Sequence, residues 1–501
     1  MRRLPASSLA CIALATSAIA SLSGTDVAAG SATAVADGGC HYRLVITDQP
    51  VTRIDIRFSC AGDGPWRFGG HRLIPNDHVR NIRPGAGSLM SREGYDWIFS
   101  GSNGATRGAY SFDMMDLIAS TNAVSIAQRH GSSLITSISS LLLYPVSRRL
   151  PLSLHFSVGA ASQQEGGKIA TAFHRTSTTQ GEIQWINSQD VPDSGFMVLG
   201  RFAKRILAVP GRGSLARADE KAPYREGQAK IILAIVDPGL EGDAAVFDGW
   251  VSASAKLVAE YFRGFPARRT LLVILPVESR SGVFRGRVIS GGGPTVLLTV
   301  GSKIDRAQLY DDWILLHELI HIGSPYLRLA GRWLNEGIAV YLQSVIHVRA
   351  GWLEADRIWR GFMHQMPRGL DALQGAGLGS ARGIGGVYWG GSTFLLLADI
   401  DIRRRTNGGK TLGDCLRTVL WAGGDSSQVW TPERMMTVCD KAVGTDTMAR
   451  LASQYVSRGS PLDLGRLWRD LGLIRDENGF RTDNKAPLAV IREAIMRKPP
   501  R

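Results

Sequence analysis

The residues with the clearest chemical meaning are His317, Glu318 and His321, in the order His-Glu-Leu-Ile-His, followed by Trp333-Leu334-Asn335-Glu336-Gly337. Two histidines four residues apart on a helix lie on one face, one turn apart, and can share a Zn²⁺ ion. The glutamate between them projects beside such an ion, where it can take a proton from water. Glu336 comes after the connection Ser324 to Arg332, which is long enough to reverse the chain into an antiparallel helix. That reversal brings Glu336 back over the histidine pair as a third ligand. His347 shares the helix face but lies about 16 Å further along at 1.5 Å per residue, outside the set. Three ligands with an open fourth position and a base support hydrolysis by a metal-activated water. The other reading is a helix with two hydrogen-bonded core histidines and a salt-bridged glutamate. The apolar company of Glu336 (Trp333, Leu334, Ile338, Val340 and Leu342) argues against an ordinary solvated carboxylate.

Several elements must hold these groups in place. Asp311 and Asp312 precede the apolar run Trp313 to Leu316 as helix caps do, and Gly323 and Pro325 end the helix just past His321. The helix is mostly apolar and therefore buried, so its polar trio needs partners. Lys230 to Val236 and Thr270 to Leu275 read as buried strands around an amphipathic helix from Asp248 to Phe262. Gly291-Gly292-Gly293-Pro294 then leads into the strand Thr295 to Val300. Glycines and proline suit an edge strand whose bare backbone can pair with an extended peptide. Gly291, Gly292, Gly293 and Thr295 are the candidate substrate-binding residues on that reading; a structural glycine loop is the alternative.

The rest of the chain sets the frame. At 501 residues, 44% of them hydrophobic, it holds two or three globular domains. Arg2 and Arg3, the apolar stretch Leu9 to Leu22 and Ala18-Ile19-Ala20 form a secretory signal peptide, with a lipoprotein signal at Cys11 or a retained anchor as alternatives. No later stretch is apolar enough to span a bilayer. Export leaves four cysteines in two local pairs, which predicts disulfides Cys40–Cys60 and Cys415–Cys439, each worth roughly 3 kcal/mol in the chain-entropy model. The net charge of +14 is spread without a basic stripe carrying interleaved aromatics, so nucleic acid is not an expected partner. Residues 40 to 203 alternate as strands and predict a β-sandwich; Met114 to Gln128 could be helix or strands. After Glu336 the chain reads as mainly helical, with a Gly-rich, mobile loop at 369–386, a helix over Tyr388 to Arg405 and one more at Pro487 to Met496.

His317-Glu318-xx-His321 with Trp333-Leu334-Asn335-Glu336-Gly337-xx-Val340-Tyr341 resembles the gluzincin metallopeptidases. The segment from Val387-Tyr388-Trp389-Gly390-Gly391 to Asp399-Ile400-Asp401-Ile402-Arg403-Arg404-Arg405-Thr406, followed by Thr411-Leu412-x-Asp414, is similar to the glycyl aminopeptidase family. The resemblance spans about 205–420. It implies an α+β chain: an N-terminal β domain (40–203), a thermolysin-like zinc catalytic domain (204–350) and a mainly helical domain (351–480), after a signal peptide (1–20) and leader (21–39) and before a tail (481–501). It implies a zinc peptidase acting on peptides or proteins, with Tyr388 stabilising the tetrahedral intermediate. The chain departs from the family in a shorter stretch between His321 and Glu336, in having no room for the common C-terminal PDZ domain after 475, and at two further positions. Gly390 replaces a usual lysine, and the Gly291 to Thr295 stretch lacks the acidic motif that binds a substrate's free amine. Exopeptidase specificity therefore does not follow. A zinc-stabilised peptide-binding or assembly protein without catalysis is the alternative.

Overall fold

The computed structural model describes residues 39–70, 78–120, 127–147, 149–178, 181–213, 227–236, 244–289, 293–476 and 479–498. The signal peptide, the leader, Gly291 and Gly292 lie outside them. The fold is mixed α+β. Its first part builds a seven-stranded sheet, in which Cys40–Ile46 pairs with Arg53–Ala61 and Pro151–Val158, and two four-stranded sheets. Strict alternation explains the pairing. Arg53–Ala61 buries Ile54, Ile56, Phe58 and Cys60 and turns Arg53 and Arg57 to water. The apolar faces share one core in which the Phe58 ring meets Phe68 at a tilt and Phe99 edge to face. The ambiguous segment resolves into a short helix, Met114–Ser120, and a strand, Ala127–His130. Cys40 is disulfide-bonded to Cys60, directly across the strand pair, and Cys415 to Cys439, between two helices.

A five-stranded sheet follows, in the order Phe202–Val209, Ala229–Val236, Arg269–Val277, Thr295–Gly301, Val283–Ile289. Its three central strands run parallel and are almost wholly apolar, because both faces are covered. One face packs on the helices Ala244–Phe262 and Ile314–His321; the other meets Ile135, Phe196 and Val198. This order corrects one expectation. Thr295 starts an interior strand paired with Leu271 on one side and Ile289 on the other, so its backbone cannot accept an added strand. The edge strand on this side of the sheet is Val283–Ile289. Thr295 instead ties the two halves together: the Phe196 N–H donates to its Oγ1 at 2.9 Å. Gly293 has a similar task, since a Cβ there would come within 2.6 Å of the Ala172 carbonyl oxygen.

The helical part carries the tyrosine segment. The expected mobile loop at 369–386 is largely short helical turns, Met366–Gly369, Leu370–Gln374 and Leu378–Ser380. A π-helical turn, Gly385–Gly390, then runs into the helix Gly391–Arg405. That helix lies directly on Arg332–Arg349. A Cβ on Gly337 would come within 2.5 Å of the Gly391 carbonyl carbon, and one on Gly391 within 2.0 Å of the Trp333 oxygen. Two glycines thus set the spacing between the helix that bears Glu336 and the segment that bears Tyr388. A buried network locks the same pair. Asp399 accepts from Tyr341 Oη at 2.9 Å, Arg403 Nε at 3.0 Å and the Leu412 N–H at 3.1 Å. Asp399 and Arg403 are 3% and 7% exposed. Replacing Asp399 with Ala strands a buried guanidinium, so a loss of about 3–5 kcal/mol in unfolding free energy is expected from urea denaturation. A loss under about 1 kcal/mol would mean that Arg403 finds another partner. Among the described residues no helix is long and apolar enough to cross a membrane.

Candidate functional site

The helix Ile314–His321 begins where Asp312 accepts from the backbone N–H groups of Ile314 and Leu315, at 2.9 and 3.1 Å. His347, remote from the metal group, is buried and serves this cap: its ring lies 3.1 Å from the Asp312 carbonyl and 2.7 Å from that of Gln343. Burial lifts the Asp312 carboxyl to about 6 against these hydrogen bonds. The folded chain therefore holds this proton to higher pH than the unfolded chain does. Its stabilising contribution is complete below the ordinary value near pH 4 and is lost as pH rises through about 6. Asn at position 312 keeps an acceptor and cannot ionise. Asp312→Asn is thus expected to gain up to about 3 kcal/mol relative to the parent between pH 4 and pH 8, by chemical denaturation at both. A difference independent of pH would contradict this.

The chain reverses after His321 through 322–331. Asn335 fixes this reversal. Its side chain accepts from the Leu327 N–H at 3.0 Å and donates to the Pro325 carbonyl at 2.9 Å. The result is a convergence of three ligand atoms. His317 Nε2 and His321 Nε2 are 3.2 Å apart, and Glu336 Oε2 lies 3.3 and 3.5 Å from them. A tetrahedral ion with bonds of roughly 2.0–2.1 Å sets neighbouring ligand atoms about 3.3 Å apart. The spacing and the donor set, two imidazoles and a carboxylate, fit zinc. No other group of three or more such side chains is placed to hold a metal among the described residues.

The electrostatics follow from burial and proximity. Burial lowers His317 to about 4, so it stands neutral, as a ligand must. Burial also disfavours charge on His321, but the Glu336 carboxylate outweighs it and raises that residue. Burial works against ionised Glu336, yet hydrogen bonds from both histidines hold it well below the usual carboxylate range. Glu318 is 8% exposed, and burial lifts it to about 7. A carboxylate poised there is suited to accept a proton near neutral pH. Gly286 makes room for it: a Cβ at 286 would come within 2.7 Å of Glu318 Oε1. Tyr388 stacks on His317, with ring centroids 6.0 Å apart and planes 3° from parallel, and Trp313 meets the same imidazole edge on. Burial and the Glu336 charge raise the Tyr388 phenol to about 12, so it stays a donor.

His321, Glu318, Glu336 and Tyr388 line one cavity of about 960 Å³. Its walls include the edge strand from Arg285 to Ile289 and, from the first part of the chain, Asp190 and Asp193. Gly293 and Thr295 are not among its lining residues and, like the two disulfides, do not belong to this group. Arg332, Asp190 and Asp193 went unseen in the sequence. Only Arg332 left a trace there, four residues before Glu336 at helical spacing.

No family model and no curated protein matches the sequence. Solved structures do. An aminopeptidase N family protein from Idiomarina loihiensis superposes with a TM-score of 0.63 at 14% identity, covering 89% of this chain and 82% of its own. The fold is that of M1 aminopeptidase family proteins. An M1 zinc metallopeptidase from Deinococcus radiodurans, solved as a mutant bound to a Tyr-Ser-Ala substrate, gives 0.51 at 12% identity over 85% of this chain and 96% of its own.

Proposed function

We propose that this chain is a zinc-dependent peptidase. The observation that carries the proposal is the convergence of His317, His321 and Glu336 beside buried Glu318, inside a cleft large enough for a peptide. Zinc held there would lower the pKa of a water and polarise a peptide carbonyl. Glu318 takes the proton of the attacking water and returns it to the leaving amine. The Tyr388 hydroxyl donates to the oxyanion that develops on the carbonyl. The free edge of Val283–Ile289 aligns an extended substrate by main-chain pairing. A structural metal would need no buried carboxylate in the position of Glu318, which disfavours a purely binding or assembly role.

The division into a β domain, a catalytic domain and a helical domain accords with three groups of sheets and helices, and two disulfides suit an oxidising compartment outside the cytoplasm. The test is incubation of purified protein with a mixed peptide library, with and without chelator. Cleavage that chelator abolishes and zinc restores is the expected result. No cleavage at any pH between 5 and 9 would favour the binding role. The fragment termini distinguish removal of single terminal residues from internal cutting.

A further inference from the structure

The charges around the cleft are unevenly placed. Apart from Glu318, His321 and Glu336, its charged lining residues are Arg285, Arg287, Arg328 and Arg332 against Asp190 and Asp193. Two of the guanidiniums act on groups of the reaction centre. Arg332 is close enough to the Tyr388 phenol to favour its ionised form and lies 3.7 Å from Glu336 Oε1. Arg287 is close enough for its charge to act on Glu318. Arg285 and Arg287 are two residues apart on the edge strand and so share one of its faces, opposite to Gly286. Arg328 holds φ at 51°, a backbone conformation that non-glycine residues seldom adopt and that gathers at binding sites. Neither Arg285 nor Arg328 forms an ion pair among the described residues.

Glu336 offsets Arg332, which leaves Arg285, Arg287 and Arg328 against Asp190 and Asp193. Such an arrangement is relieved by an anion, and the planar fork of arginine suits a carboxylate. An excess of one sign of charge on part of a cleft wall also draws ligands of the other. We infer that this site selects peptides that present a carboxylate within a residue or two of the scissile bond. The proposal rests on the peptidase reading and adds the substrate class. An acidic side chain and a free C-terminus offer the same chemistry.

The test uses peptides identical except for Glu, Gln or Lys at each position around the cleaved bond, each with a free and an amidated C-terminus. The expected result is a kcat/KM for a carboxylate-bearing peptide about tenfold above its neutral counterpart, the size of one good guanidinium pair. Arg287→Met and Arg328→Met should shrink that ratio to under about threefold, and so should high salt. A preference lost on amidation assigns the carboxylate to the terminus; one that survives assigns it to the side chain. Binding of the same peptides to zinc-loaded Glu318→Gln protein, by calorimetry, gives the preference without turnover. Cleavage with equal rates for Glu and Gln, or faster for Lys, overturns the proposal while leaving the peptidase reading intact. Tighter binding of the acidic peptide with no cleavage overturns the peptidase reading and keeps the selectivity. Neither cleavage nor selective binding overturns both.

Discussion

Replacing Glu318 with Gln is expected to leave zinc content unchanged and to lower peptide hydrolysis by about three orders of magnitude. The size follows from the position of the residue. Glu318 is not among the three converging ligand atoms, so the ion stays. Gln fills nearly the same space against Gly286 and Ile314, so the edge strand keeps its approach. What disappears is the buried carboxylate beside the three ligand atoms that is itself free of a ligand's duty. Zinc analysis and kcat on one peptide suffice. Full activity in the variant would remove Glu318 from the reaction, whereas loss of zinc would make it a ligand.

Replacing Glu336 with Ala should act earlier, on the metal itself. The two imidazoles would keep their positions, since both rings sit on one packed helix. The carboxylate that supplies the third bond and the compensating negative charge would be gone. Zinc affinity, read by competition with a chromophoric chelator, should fall by more than the roughly 10–100-fold that loss of a merely supporting group costs a metal site. Glu336→Gln separates charge from shape: it keeps the packing beside Arg332 and Tyr388 but not the anion. Unchanged affinity in both variants would strike Glu336 from the ligand set.

The metal group was legible in the sequence because its rules are local. Helical spacing unites His317 and His321, and a connection of fixed length returns Glu336. The two disulfides were legible for the same reason, each pair being close along the chain. The position of a strand within its sheet is different. Thr295–Gly301 comes just before the metal-binding helix in sequence but sits one place in from the edge, because Val283–Ile289 folds back outside it. Glycines and proline marked a tight approach there, yet the partner was Ala172 and not a substrate. Asp190 and Asp193 reach the cleft only through packing of the first part of the chain on the five-stranded sheet, which no local pattern encodes. Gly337 and Gly391 carry no local signal of the contact between their two helices, which only the packing brings about.

The π-helical turn at Gly385–Gly390 has a consequence for how this site could be lost. Such a turn accommodates one residue more than an α turn. Removing one residue would convert it to ordinary helix and carry Tyr388 around the axis by up to about 100°. The anchoring by Asp399, Arg403 and Gly391 further along would survive. The placement of the phenol is thus written as a length as well as an identity. A single in-frame deletion among these glycines could disarm the site while every chemically active side chain remains in the sequence.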